Sequence, residues 1–137
     1  MRVQLGPVAH FSLAVSDPNV SASWWMANFD LDEYARRSSR VVLGNESVLI
    51  ALFAGTPDPA AYGHLAFHAT DVAALESARD ILRANGVDLE DPGDEIGPVA
   101  PGSPSLGLWF HDIDGYRGTL RATSREQLDN YHQVSTK

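Results

Sequence analysis

Two nine-residue segments of the chain share one pattern, and this repeat constrains the fold more than any other feature. Residues 9–17 read AHFSLAVSD and residues 63–71 read GHLAFHATD. In each segment a histidine, His10 or His64, is followed seven positions later by an aspartate, and the two copies are offset by 54 residues. Alternation of polar and apolar residues is typical of β-strands. A constant offset between two such strands indicates an internal duplication.

A helix is predicted after each of these strands. Asp17 and Asp71 are suitable N-caps, because a carboxylate accepts hydrogen bonds from the free amides of a first helical turn. In the first helix, Trp24 aligns with the apolar positions one turn away on either side, so it is expected in the core and Trp25 near the edge. The second helix is expected to end at Gly86, a typical C′ residue.

Each copy continues with β-rich segments separated by turn residues. Residues 42–52 match residues 110–120 at an offset of 68, so each copy is interpreted as a strand, a helix and about three further strands. The later strands are predicted over residues 39–43, 48–53, 106–111 and 116–122.

Residues 91–107 form the longest stretch without a strand or helix pattern. They contain four glycines and four prolines among seventeen residues, which predicts an irregular loop. Such a loop is either a lid over a binding site or a solvated connection, and the sequence leaves both interpretations open. A capping-box pattern at residues 124–127 predicts a short helix in a tail that spans residues 123–137.

Composition excludes several classes of function. A chain of 137 residues with 44% hydrophobic and 20% charged residues is typical of one globular domain. Its net charge of −8 is repelled by phosphate backbones, so nucleic acid is not expected as a partner, and no basic segment suggests a membrane. No signal peptide or membrane-spanning run is recognised. The absence of cysteine excludes thiolate catalysis and is consistent with the predicted cytoplasmic location.

Four stretches of the chain, taken in order, carry a further pattern. They are HFSLAVSD at residues 10–17, SWWMANFDL at 23–31, GHLAF at 63–67 and FHDIDG at 110–115. Together they resemble the vicinal oxygen chelate superfamily, which includes glyoxalase I, bleomycin-resistance proteins and extradiol dioxygenases. The second stretch is similar to the superfamily's aromatic-pair helix, and the last is similar to its Phe-x-Asp-Pro-Asp-Gly hairpin with Ile113 in place of proline.

The resemblance implies an α+β fold of two tandem βαβββ modules. The modules would cover about residues 8–53 and 62–122, within a single domain of residues 1–122. They would form a curled mixed sheet with helices outside and a half-barrel cavity inside. The resemblance also implies a homodimer, because members of the superfamily often complete or flank their cavities across a twofold contact.

In this superfamily a divalent metal usually occupies the cavity, held by the first and last strands of each module. Carried over by position, the first-strand residues are His10 and His64, and the last-strand residues are Ala51 and Thr119. A methyl group cannot bind a metal, and Thr119 stands where a glutamate is commonly found. Two neutral imidazoles without a carboxylate leave a divalent charge uncompensated in a low-dielectric cavity.

Two interpretations of the histidines are therefore open. His10 and His64 are either ligands of a divalent metal (Fe, Mn, Zn or Ni) or hydrogen-bonded wall residues of the cavity. His68 and His111 are expected to be wall residues rather than ligands. Replacement donors for a metal would come from the 91–107 loop, which carries Asp91, Asp94 and Glu95.

Side chains near the cavity are predicted to contact a small ligand. By analogy with the superfamily Phe110 faces the helix layer, so Trp109, which alternates with it, would present an aromatic wall to the cavity. Arg117 and Arg121 share the parity of Thr119, and each either meets an anionic ligand group or pairs with a surface carboxylate. The predicted ligand-binding residues are His68, Trp109, Thr119 and Arg121.

The sequence thus predicts a protein that binds a small organic molecule in the half-barrel cavity and has a degenerate metal site. The alternative is a divalent-metal-dependent enzyme that uses His10 and His64 with a nonstandard ligand. Such an enzyme would be a glyoxalase-like lyase or isomerase, or an extradiol-type dioxygenase. Catalytic residues are not assigned, and no Ser-His-Asp or phosphate-binding glycine motif is found.

Overall fold

The structure is a computed structural model that describes residues 1–123. The helix predicted in the tail lies outside these residues. The chain divides into two compact units, Met1–Asp58 and a second that begins at Pro59, and each predicted module falls within one unit. No helix among the described residues is long and apolar enough to cross a membrane.

The first unit consists of one helix and a four-stranded sheet. Its elements are β1 (Phe11–Val15), α1 (Pro18–Asn28), β2 (Asp32–Arg37), β3 (Arg40–Gly44) and β4 (Leu49–Ala54). The strand order is β1-β4-β3-β2, in which β1 runs parallel to β4 and the other neighbours are antiparallel. Helix α1 lies against β3 and β4.

The second unit repeats this arrangement with two short additions. Its elements are α2 (Pro59–Tyr62), β5 (Leu65–His68), α3 (Val72–Ala84), β6 (Asp88–Leu89), β7 (Ile96–Pro98), β8 (Ser105–His111) and β9 (Arg117–Thr123). The strand order is β5-β9-β8-β6, β7 pairs with β8, and β5 runs parallel to β9. Without α2 and β7, this is the βαβββ order of the first unit. The predicted α+β fold of two such modules is confirmed.

Helix α1 begins as predicted but buries a different tryptophan. The Asp17 side chain accepts hydrogen bonds from the backbone amides of Asn19 and Val20 at 2.9 and 3.4 Å. Trp25 is buried whereas Trp24 is half-buried, so the prediction that Trp24 is the core residue is wrong. Ser21 and Ala22 face the sheet, and Trp25 lies one turn beyond them on the same side. The buried residues of α1 are Ser21, Ala22 and Trp25.

Helix α3 has the predicted caps and buries one apolar side. The Asp71 carboxylate accepts a hydrogen bond from the Ala74 amide at 2.8 Å. Gly86 adopts a φ of +75°, the left-handed conformation expected of a C′ glycine. Leu75 and Leu82 are buried, so the apolar side of α3 packs on the sheet of its own unit.

The 91–107 segment is only partly irregular. Strand β7 within it pairs with β8, which corrects the prediction of a loop throughout. The Glu95 carboxylate is buried and accepts a hydrogen bond from Nε of Arg83 at 3.0 Å. This bond, together with the Gly93 amide, lowers the pKa of Glu95 to about 2. Strand pairing and an ion pair between buried Glu95 and the half-exposed Arg83 therefore order a segment whose sequence has no strand pattern. The lid interpretation stays a prediction.

The two copies differ by one residue in their last hairpin. Val42 pairs with Ala51 in the first unit, and Trp109 pairs with Thr119 in the second. The loop between β3 and β4 has four residues and the loop between β8 and β9 has five. The predicted offset of 68 therefore holds for β9, but it is wrong for β8, where the offset from β3 is 67.

Candidate functional site

One face of the second sheet carries the four predicted ligand-binding residues. Leu108 and Phe110 are fully buried, and α3 lies against β8 and β9. Since side chains alternate along a strand, residues of the other parity lie on the opposite face. We call this the polar face, and it carries His68, Trp109, His111, Arg117, Thr119 and Arg121.

The register of the strands arranges the polar face in rows. Trp109 and Thr119 form the middle row, and His111 pairs with Arg117 on one side of it. His68 pairs with Arg121 on the other side. The two arginines are four residues apart on β9, or about 13 Å along the strand. We call the outer rows the Arg117 end and the Arg121 end.

Arg117 is held in place by three contacts. Its guanidinium carbon lies 3.8 Å from the centroid of the Trp109 ring, a cation–π distance. Its Nε and Nη2 donate to Oε2 and Oε1 of Glu90 at 2.6 and 2.8 Å, the forked geometry of a strong ion pair. Oε2 of Glu90 also lies 2.9 Å from Nε2 of His111. Of the two interpretations of Arg117, the structure therefore shows the pair with a carboxylate. His111 is hydrogen-bonded, as expected of a wall residue.

The charges at the Arg117 end stabilise each other. Hydrogen bonds from Arg117 and, more weakly, from His111 lower the pKa of Glu90 against the opposing effect of partial burial. The Glu90 carboxylate raises the pKa of Arg117, and nearby Asp91 adds to this effect. Both groups of the pair are therefore ionised at neutral pH, and their charges cancel.

The Trp109 ring already has protein neighbours. Arg117 covers part of one ring face. The imidazole of His64 lies with its centroid 5.0 Å from that of Trp109 and its plane at 73°, an edge-to-face contact. The structure thus brings His64 to the polar face through Trp109. Stacking of a flat ligand on Trp109 stays a prediction, and it would have to use the part of the ring that these two side chains leave open.

The Arg121 end has a different character. No carboxylate among the described residues lies within ion-pair distance of Arg121. Its neighbours across the strands are the exposed His68 and the side-chain-free Gly107. A Cβ added at Gly107 would lie 2.5 Å from Cγ1 of Val99 and 3.1 Å from Oγ1 of Thr119. The Val99 side chain therefore fills the space over Gly107, and Arg121 supplies the positive charge of this end.

The first unit offers fewer polar groups at the matching positions. His10 precedes β1 and is exposed, and Ala51 is buried beside Ser12 of β1. A shallow depression of about 260 Å³ in this unit contains none of the predicted site residues. It is lined by residues 7–9, Tyr34 and residues 45–49.

The sequence as a whole places the chain in a family. A sequence profile of the Glyoxalase/Bleomycin resistance protein/Dioxygenase superfamily matches residues 8–117. The chain belongs to this superfamily. The match covers both βαβββ units up to the start of β9, and it confirms the resemblance drawn from the four motifs.

Several solved structures of the superfamily share the fold. FosX, a fosfomycin resistance protein of Listeria monocytogenes, is 19% identical, with a TM-score of 0.75 over 93% of this chain and 98% of its own. FosX of Mesorhizobium loti is 18% identical, with a TM-score of 0.68 over 91% and 98%. Lactoylglutathione lyase of Agrobacterium tumefaciens is 14% identical, with a TM-score of 0.69 over 86% and 94%. No curated protein sequence matches the chain.

The residues at the superfamily's metal positions do not form a suitable donor set. Ala51 has no donor atom, and the buried Thr119 hydroxyl is directed to the Leu120 carbonyl at 3.4 Å. His10 and His64 remain, and they supply no negative charge to compensate a divalent ion. Among residues 1–123, no group of three or more His, Cys, Asp or Glu side chains is arranged to hold a metal.

We expect the purified protein to bind no divalent metal stoichiometrically, because the donors lack both number and charge. The measurement is metal content after purification without an affinity tag, followed by calorimetric titration with Fe(II), Mn(II), Zn(II) and Ni(II). The variants His10→Ala and His64→Ala, alone and combined, are the matched controls. One-to-one binding that disappears in the double variant would contradict this expectation and support the metal-dependent alternative.

Glu90 is the site residue that the sequence analysis missed. Acidic candidates were predicted only in the loop that follows it, and one of them, Glu95, is bound to Arg83. The Glu90 amide donates to the Trp109 carbonyl at 3.0 Å, which continues the pairing of β6 with β8 and directs the Glu90 side chain to the polar face. The alternation of Glu90 with Leu89 could have indicated that its side chain points away from the core. The sequence could not have indicated that Glu90 lies opposite Trp109.

Proposed function

We propose that the protein binds a small organic anion at the Arg121 end of the polar face and that it does so without a metal. The contrast between two arginines on one strand carries this proposal. Glu90 neutralises Arg117, whereas no carboxylate in the described part of the chain pairs with Arg121. Arg121 is therefore the positive group of this face that is left for a ligand.

The chemistry of this end suits an anionic group. A guanidinium presents parallel N–H donors that match a carboxylate, phosphonate or phosphate in bidentate fashion. The imidazole of His68 is a second donor on the adjacent strand. The chain has 18 acidic and 10 basic residues. In so acidic a chain, an arginine without an acidic partner among residues 1–123 is unexpected, which favours a binding role over a structural one.

Related structures support small anions as ligands of this fold. FosX of Listeria monocytogenes has been crystallised with Mn(II) and sulfate, and a variant of it with Mn(II) and 1S,2S-dihydroxypropylphosphonic acid. The anions support the proposal made here. The Mn(II) is the observation that favours the alternative, a metal-dependent lyase or dioxygenase using His10 and His64, and the metal titration separates the two.

Replacing Arg121 with glutamine is expected to weaken hexanoate binding about tenfold or more, because a hydrogen bond to a charged group contributes roughly 1.5–3 kcal/mol. Hexanoate serves as the probe since it joins one carboxylate to a short apolar chain. Dissociation constants are measured by ¹⁵N NMR titration at constant ionic strength.

The matched control is Arg79→Gln, which removes the same charge from an arginine of α3 that contacts Asp80. We expect its affinity for hexanoate to equal that of the wild type. Equal affinities of the Arg121→Gln variant and the wild type would contradict the proposed function. Titrations in the presence of EDTA should give the same constants as those without it.

Three predictions accompany this proposal as parts of it. The ligand occupies the half-barrel cavity characteristic of the superfamily, residues 1–122 form one domain, and the protein is a cytoplasmic homodimer. Size-exclusion chromatography with light scattering tests the homodimer directly.

A further inference from the structure

The two ends of the polar face differ in the charges around them. At the Arg117 end, Glu90 binds Arg117 and Asp91 attracts it electrostatically. Asp88 is the register partner of His111 on the adjacent strand. Three carboxylates therefore surround this end, whereas no ion-pair partner of the other end is found among residues 1–123. The Arg121 end therefore attracts an anion, and the Arg117 end repels it.

We propose that Glu90 is a specificity-determining residue that restricts the site to ligands with a single anionic group. This proposal rests on the proposed function, since it requires one anion at Arg121. Glu90 contacts no ligand and acts through Arg117, so it is a positioning residue. By neutralising Arg117, it removes the second cation that a dianionic ligand would use.

The geometry explains why Arg117 cannot bind an anionic group of the ligand while Glu90 is ionised. Both carboxylate oxygens of Glu90 accept from the guanidinium, and the Trp109 ring lies against it. His111 binds the same carboxylate and limits its rotation. Freeing Arg117 would break two charge-assisted hydrogen bonds, which are among the strongest in proteins. The second anionic group of a ligand would instead meet the Glu90 carboxylate and be repelled.

A matched pair of ligands tests this. Hexanoate and adipate have the same carbon chain and differ only in the second carboxylate. The wild type should bind hexanoate more tightly than adipate. Glu90→Gln should raise the affinity for adipate about tenfold more than that for hexanoate, because only adipate can use a second free guanidinium about 13 Å along the strand together with the first.

The control is Glu76→Gln, which removes an identical charge from an exposed position on α3. This variant should bind both acids as the wild type does. The double variant Glu90→Gln/Arg117→Gln should lose the gain in adipate affinity. NMR signals of the Arg117 Nε–H and the Trp109 indole N–H should shift in Glu90→Gln and stay in place in Glu76→Gln, which reports the release of Arg117 independently of any ligand.

The outcomes separate the two proposals. If Glu90→Gln changes both affinities equally, or if Glu76→Gln produces the same gain, the role of Glu90 is overturned while anion binding at Arg121 stands. If hexanoate binds the wild type and the Arg121→Gln variant equally, or does not bind at all, the proposed function fails and this inference fails with it. An adipate gain that persists in the double variant also overturns the role assigned to Glu90 through Arg117.

Discussion

Replacing Gly118 with alanine is expected to destabilise the protein by about 1–3 kcal/mol, the usual cost of overpacking a filled core. A Cβ at this position would lie between 2.4 and 2.8 Å from three atoms of the Phe110 ring. Phe110 is fully buried, and since protein interiors are close-packed, any movement of the ring would displace its neighbours. The free energy of unfolding is measured by urea denaturation monitored by circular dichroism.

Two further variants make this test specific. Gly97→Ala adds the same methyl group where no atom lies within 4 Å, and it should leave stability nearly unchanged. Phe110→Ala should cost about 3–5 kcal/mol on its own. The double variant Gly118→Ala/Phe110→Ala should cost less than the sum of the single changes, because the missing ring makes room for the methyl group. Strict additivity would show that the two residues do not compete for one space.

The duplication made the topology predictable. His10 and His64 precede β1 and β5, and Asp17 and Asp71 follow these strands as N-caps in both copies. Equal local patterns produce equal local structures, since caps and alternation act over a few residues. Each first strand then pairs in parallel with the last strand of its own unit.

The register of β8 against β9 depended on the length of the loop between these two strands. At a constant offset of 68, Phe110 and not Trp109 would correspond to Val42 and lie on the polar face. One extra loop residue reverses this, because a shift of one residue turns every side chain of a strand to the other face. Alternation with Phe110, interpreted through the superfamily, still placed Trp109 on the face opposite α3, as the structure has it; its position in a cavity stays a prediction.

The candidate site was predictable only in part for a similar reason. Parity along a strand is a local property, so Arg117, Thr119 and Arg121 could be placed together on one face of β9. Trp109 and His68 lie on other strands, and only the resemblance to the superfamily assigned them to the same side. The partner of Arg117 could not be predicted, because Glu90 reaches it through the pairing of β6 with β8, a contact between segments far apart in the sequence. Sequence reasoning thus named the candidate ligand contacts of the polar face and missed Glu90, the residue that neutralises Arg117.

The second large effect is expected at Trp25, where the sequence analysis chose the wrong tryptophan. Trp25→Ala should cost about 3–5 kcal/mol, the typical loss when a buried aromatic ring is truncated. The Trp25 side chain is 1% exposed, and the centroid of its ring lies 5.3 Å from that of the Phe29 ring. Because a domain of this kind is stabilised by only about 5–15 kcal/mol in total, the loss should be plain in a urea titration.

Trp24→Ala is the matched control, since it removes the same side chain from the adjacent position of α1. Trp24 is half-buried, so less apolar surface leaves contact and the loss of stability should be clearly smaller than for Trp25. Circular dichroism is the suitable signal, because each variant lacks one of the three tryptophans that fluorescence would report. A larger loss for Trp24→Ala would contradict the orientation of α1 and restore the assignment that the apolar spacing alone suggested.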